Sequence, residues 1–208
     1  MVSDPFPADV HVAVRQIPDS VGIERARTLP AAWYADETFH HHELQRVFRS
    51  DWVCGGVTDE LPPARSWRAI TIGGLPVLLV RDAEGELRAF LDVCRHRAAP
   101  LCDVGESGSG AVIRCPYHAW VYRLDGSLAK ANGVGAPEGF DVADYGLRPV
   151  AVALLRRTFW INVGDPAAQF DPGALAAAIG QFPVESFDLA VCESHVRPFN
   201  WKVLLENY

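Results

Sequence analysis

The chain has little of several things, and each shortage narrows its chemistry. It has one methionine and five cysteines in 208 residues. An odd cysteine number gives no complete disulfide framework, so the thiols read better as metal ligands or buried apolar groups. Basic residues are outnumbered, 19 Lys and Arg against 26 Asp and Glu, for a net charge of −7. A nucleic-acid surface needs clustered Lys and Arg, so nucleic acid is not expected as a partner. No apolar run approaches the roughly 20 residues of a membrane span; "AVALLRRTFWINVG" is interrupted by Arg156 and Arg157. The opening "MVSDPFPADV" has no basic stretch, apolar stretch or twin-Arg pair of an export signal. These shortages together imply a cytoplasmic protein that does not associate with membranes.

What remains is ordinary for a globular chain: 49% apolar and 22% charged residues. Residues 1 to about 30 carry Pro5, Pro7 and Pro18 without a sustained period, and read as an arm. A helix is expected from about Asp36, its N-cap, with Leu44, Val47 and Phe48 on one face. His40, His41 and His42 on that helix point in different directions and cannot jointly hold one metal, so a solvated surface is expected. From Trp52 the pattern changes to short apolar runs separated by turns. "WVCGGV", "WRAITI", "LPVLLVRD", "LRAFLDV", "WVYRL", "VAVALLRR" and "TFWINVG" read as strands, with hairpin turns at Asp82–Gly85 and Asp125–Gly126. "GESGSGA" reads as a mobile turn, "DPGALAAAIGQF" as a short helix opened by Asp171 and Pro172, and "FDLAVCESHVRPF" as a further strand. The fold class is mostly β, α+β overall: a small antiparallel sandwich or barrel preceded by a helix.

Two stretches carry the chemistry. "CRHRAAPLC" supplies Cys94 and His96; after eighteen intervening residues, "CPYHAW" supplies Cys115 and His118. A finger-type zinc site usually takes two Cys from one element and two His from another. Here each loop gives one of each. That division suits a two-iron cluster with one iron held by Cys94 and Cys115 and the other by His96 and His118. A mixed zinc site is the alternative. Cys54, Cys102 and Cys192 are left as buried apolar groups. His195, alone in a strand pattern, is expected to be structural.

These loops resemble those of the α subunits of Rieske non-haem iron oxygenases, which read like "CRHRG-PLC" and "CPYHGW". The resemblance runs from about Ala32 to Tyr208, and two departures stand out: Ala99 or its neighbour, and Ala119, occupy places where glycine is usual. It implies a [2Fe–2S] cluster on Cys94, His96, Cys115 and His118. Respiratory Rieske proteins add a disulfide and a serine two residues after the second histidine; Tyr117 and Trp120 stand at those places here. Without the serine's hydrogen bond, a potential near the low end of the Rieske range of about −150 to +300 mV is expected.

The resemblance also divides the chain: an arm and helix over 1–47, a Rieske domain over 48–164, and the start of a mononuclear-iron catalytic domain over 165–208. "NWKVLLENY", with Asn200, Trp201, Lys202, Glu206 and Asn207, resembles the segment that opens the family's iron site. The family continues to an acidic residue that bridges neighbouring subunits and to a "YHxxxxH" run whose two His, with a carboxylate much later in the chain, hold Fe(II); none of these occurs within these 208 residues. The chain alone is therefore expected to lack oxygenase activity. The implied function is the electron-transfer portion of a hydroxylating or demethylating mono- or dioxygenase. It would be fed by an NAD(P)H-dependent reductase or a ferredoxin. Full-length subunits of this kind form homotrimers; for this chain a trimer is doubtful. A stand-alone ferredoxin-type carrier is the alternative.

Overall fold

The computed structural model describes residues 22–25, 27–133, 135 and 138–207. Most of the expected arm, residues 1–21, lies outside them. Two compact units are distinguished, one of Met1–Asp36 with Phe199–Tyr208, the other of Glu37–Pro198.

In the first unit, helix α1 covers Ala32–Ala35 and ends at Asp36, whose backbone is extended. A short helical turn thus precedes the helix that was expected to begin at about Asp36. In the second unit, helix α2 covers Glu37–Glu43 and passes into a π-helical turn at Leu44–Phe48. His40 and His41 are exposed as expected, but His42 is buried, and Val47 is exposed although the period places it inward.

The second unit is built on two antiparallel sheets. The larger comprises β1 (Val53–Val57), β2 (Ser66–Ile72), β3 (Leu75–Arg81), β4 (Leu87–Leu91) and β5 (Ser107–Ser109). The smaller has β6 (Val112–Arg114), β7 (Val121–Arg123) and β8 (Leu128–Lys130), after which β9 (Pro149–Leu155) and β10 (Thr158–Asn162) return to the larger sheet. Strand order is β1-β10-β9-β4-β3-β2-β5 in the seven-stranded sheet and β6-β7-β8 in the other. Each expected strand from "WVCGGV" to "TFWINVG" is present. "FDLAVCESHVRPF" forms no strand. "GESGSGA", expected to be a loop, contributes β5, which pairs with β2 through Ser66–Ser109, Trp67–Gly108 and Arg68–Ser107. Packing overrides the glycines' poor strand propensity here. A Cβ on Gly108 would lie 2.5 Å from the Trp67 ring, so only glycine lets the edge strand close over that indole.

Strand β3 shows why the sheet has two apolar faces. Its run is continuous, and successive side chains alternate. Leu78 and Val80 enter one core cluster, with Phe90, Ile113, Trp120, Tyr122, Leu128 and Leu147. Val77 and Leu79 enter the other, with Ile72, Ala89, Val150, Phe159 and Ile161. The first cluster lies between the sheets and includes Cys94 and Cys115. Cys102 is buried as expected, whereas Cys54 and Cys192 are exposed. Cys54 sits at an outward position of β1, an edge strand, and Cys192 lies in the strandless segment. Helix α3 (Gly173–Gly180) follows Asp171, whose carboxylate accepts the Gly173 N–H at 2.9 Å. Helix α4 (Trp201–Glu206), in the first unit, is capped by Asn200, which accepts the Lys202 N–H at 3.1 Å.

Candidate metal centre

The two Cys/His stretches are equivalent turns. In the first, the Cys94 N–H donates to the Ala99 carbonyl at 2.8 Å and the Ala98 N–H donates to the Cys94 carbonyl at 3.0 Å. In the second, the Cys115 N–H donates to the Trp120 carbonyl at 2.8 Å and the Ala119 N–H to the Cys115 carbonyl at 3.0 Å. Both turns need a left-handed residue at the same place, four after the cysteine. Ala98 has φ +54° and Ala119 has φ +58°. These are the residues that stand for glycine, and the first is Ala98 rather than Ala99. Each alanine costs about 1–2 kcal/mol of backbone strain.

Each turn follows a strand, the first β4 and the second β6. Asp92, 1% exposed, anchors the first: its carboxylate accepts N–H groups from Leu101 at 3.1 Å and Cys102 at 3.4 Å. Burial drives its pKa up, and these hydrogen bonds oppose the shift. The Cys102 thiol is pushed up to about 12, first by burial and then by Asp92 and its acidic neighbours. It is an inert core group.

The turns bring the four sequence-selected residues together as two pairs. Cys94 and Cys115 are each 2% exposed, and their side chains face each other. His96 and His118 have ring centroids 4.9 Å apart at 74°. His118 Nδ1 is buried and has no hydrogen-bond partner. A buried imidazole nitrogen without a partner is costly, and a metal bond would satisfy it. Among the described residues no three or more His, Cys, Asp or Glu converge as a single-ion site would require. A donor set split into a thiol pair and an imidazole pair fits a two-iron group.

The local electrostatics are consistent with that fit. Burial pushes the Cys94 thiol up, against hydrogen bonds from Tyr122 and the backbone that lower it. A thiolate there needs a cation's charge to offset burial. Burial, then His118 and Arg97, lower the His96 pKa, which favours the neutral ring that binds metal. Tyr122 lies on β7 and is fully buried. Its hydroxyl lies 3.2 Å from Cys94 Sγ and accepts the Arg95 N–H at 2.9 Å. With the Arg95 N–H on its oxygen, the hydroxyl's own hydrogen is free to point at the sulfur. Burial, followed by the Cys94 hydrogen bond, raises its pKa and keeps it a donor. Trp120 stacks on His96, with centroids 4.8 Å apart and planes 10° apart. Its indole N–H is buried without a partner in the protein. Phe140 and Tyr145 pack against Trp120 edge-on.

Residues 51–145 match the family model for the Rieske [2Fe-2S] domain. The glycine betaine monooxygenase oxygenase subunit of Pseudomonas aeruginosa is 35% identical across 86% of this chain and 42% of that protein. The chloroplastic choline monooxygenase of Spinacia oleracea is 32% identical across 97% of this chain and 47% of that protein. The chain belongs with the Rieske oxygenase subunits. Among solved structures, the apo quaternary ammonium Rieske monooxygenase CntA matches with a TM-score of 0.78 at 32% identity, over 86% of this chain and 53% of that one. The chain spans about half the length of the curated relatives it matches. No helix among the described residues is long and apolar enough to cross a membrane.

Proposed function

We propose that this chain is the electron-transfer portion of a quaternary-ammonium monooxygenase, holding its [2Fe–2S] cluster on Cys94, Cys115, His96 and His118. The reading rests on one observation: a buried cysteine pair beside a histidine pair whose Nδ1, on His118, has no partner in the protein. When bound, such a cluster takes up and releases one electron at a time. The protein's own residues do the rest. The core around Cys94 and Cys115 excludes water from the thiolate side. The Tyr122 hydroxyl offers a hydrogen bond to the Cys94 sulfur. Trp120 fixes the plane of His96 by stacking on it.

In the complete system electrons would come from an NAD(P)H-dependent reductase or a ferredoxin. They would pass to a mononuclear Fe(II) site whose ligands these 208 residues do not supply. We take 48–164 as the cluster domain and 165–208 as the opening of the catalytic domain. The glycine betaine, choline and CntA relatives favour a quaternary ammonium substrate over an aromatic one. Chain purified without oxygen should be red-brown, with about two irons and two acid-labile sulfides per chain. Cys115→Ser should abolish both, and Cys102→Ser should leave both in place. Stoichiometric zinc in a colourless protein would overturn the reading.

A further inference from the structure

The first cysteine turn is held from outside by an acceptor, the Asp92 carboxylate. The second is held by a donor. Asn132, thirteen residues beyond Ala119 and just past β8, gives a side-chain N–H to the Ala119 carbonyl. A carbonyl oxygen only accepts, so the nitrogen of the amide, not its oxygen, must face it. Neighbours fix the approach of Asn132: Leu128 is buried in the core between the sheets, and Ala131 packs against the same core. The bonded carbonyl stands at a sensitive point. Ala119 follows His118, precedes Trp120 and sits at φ +58°. Its carbonyl belongs to the peptide plane that joins it to Trp120, so holding that oxygen restrains the ψ of Ala119 and the φ of Trp120 together. On one side this sets where the chain leaves His118. On the other it sets the indole that lies 4.8 Å from His96 and within 10° of its plane. The two imidazoles, at 74° to each other, are thus referred to one peptide.

We propose that Asn132 is a positioning residue for the imidazole pair: its hydrogen bond to the Ala119 carbonyl sets the orientation of His118 and His96 relative to each other. The inference rests on the electron-transfer reading above, in which both rings serve the cluster. Without the bond, the peptide between Ala119 and Trp120 is held only by a left-handed backbone that alanine adopts at a cost. The indole then loses its fixed plane, and His96 loses the surface on which it stacks. Groups that orient a metal's ligands without touching the metal govern how firmly and in what geometry it is held. Asn132 acts through the backbone of the second turn and through Trp120, not by reaching the cluster itself.

The test uses the cluster-loaded chain and four variants. Asn132→Asp keeps the shape but presents a carboxylate that can only accept. Asn132→Ala removes the group, and Asn132→Gln keeps the donor on a longer arm. Ile161→Val is the control: it trims a fully buried residue of the other core cluster and should lower the melting temperature without touching either turn. Pulsed EPR of the dithionite-reduced protein reads the couplings of the two ligand nitrogens. Asn132→Asp and Asn132→Ala should shift these couplings and widen their spread, Asn132→Gln should recover much of the wild-type signal, and Ile161→Val should match wild type. A ferrous chelator should bleach Asn132→Asp about tenfold faster than wild type, the low end for loss of a group that orients metal ligands. Where Asn132→Asp takes up no cluster, Asn132→Ala against Asn132→Gln makes the same comparison. Wild-type couplings in the variants that lack the donor would overturn the proposal, even with faster bleaching, because the residue would then only stabilise the fold. So would an equal shift in Ile161→Val. A wild-type chain that binds no iron and sulfide would instead overturn the cluster reading on which the proposal rests.

Discussion

Two regions of the larger unit handle polar groups in opposite ways. Where the turn between β9 and β10 meets the segment after α3, polar groups are satisfied. Arg156 forks onto both Glu185 oxygens and also donates to the Ile179 and Phe182 carbonyls at 2.8 and 2.9 Å. Around the cysteine turns the reverse holds. Arginines lack carboxylates, and His118 and Trp120 have buried nitrogens without partners. Unsatisfied groups concentrated in one place are the mark of a site that binds something. One region is closed by its own side chains; the other is completed by what it holds.

The largest effect that would sharpen this contrast is at Asp92, which supports the first turn from beneath. Asp92→Ala would leave the Leu101 and Cys102 N–H groups without their acceptor, although it also removes a buried carboxylate. A net loss of about 1–3 kcal/mol is expected, read as a lower urea midpoint at unchanged slope. A neutral result would show that the turn is held by its backbone bonds alone.

Next in size is Tyr122. Tyr122→Phe removes a donor from the Cys94 sulfur and should lower the reduction potential by some tens of millivolts, about 1 kcal/mol. Redox titration measures it. This bond bears on the potential expected from the sequence, which rested on Trp120 in place of a serine. The donor missing at Trp120 is partly replaced by one at Tyr122, so the potential should lie above the lowest Rieske values. An unchanged potential in Tyr122→Phe would remove that expectation.

Relief of backbone strain comes third. Ala119→Gly frees the left-handed position but adds chain entropy to the unfolded state, for a net gain of at most about 1 kcal/mol. The melting temperature of the metal-loaded protein should rise by a few degrees. Ala98→Gly should behave alike, because the two turns share one hydrogen-bond pattern. A fall in either variant would mean that the methyl group packs usefully.

The smallest effect belongs to the closed region. The hydrogen bonds from Arg156 hold the Glu185 carboxyl below its usual range. A carboxylate with a lowered folded pKa contributes stability above its unfolded pKa of about 4.3, and loses it as pH falls through the folded value. The segment from Asp165 to Pro198 should therefore resist protease at pH 7 and become cleavable by an acid-active protease below about pH 4. Arg156→Met should make it cleavable at pH 7. Equal resistance in the variant would show that the fork adds nothing.

The sequence made the site more legible than the fold around it. Cys94, His96, Cys115 and His118 could be named because metal chemistry restricts residue type and spacing together. The strands that flank them were legible because β-branched and aromatic runs ended at clear turns. Strand β5 was not, since "SGS" carries no strand signal and pairs only because Trp67 needs a flat neighbour. The burial of His42 likewise depends on tertiary contacts that periodicity does not encode. Cys54 and Cys192 were misplaced for a related reason. A thiol's usual preference for the interior says nothing about which face of an edge strand Cys54 occupies, or whether the segment around Cys192 packs at all.

Cys94 and Cys115 belong to the same packed layer as Leu78, Val80, Ile113 and Leu128. Interiors are packed as tightly as molecular crystals and pass small displacements along. A single methylene gained or lost on β3 or β6 therefore alters more than melting behaviour. It shifts the sulfurs, and with them the distance to the Tyr122 hydroxyl. Natural variation in such ordinary aliphatic positions would give this lineage a slow, fine adjustment of its electron affinity, with no ligand ever replaced.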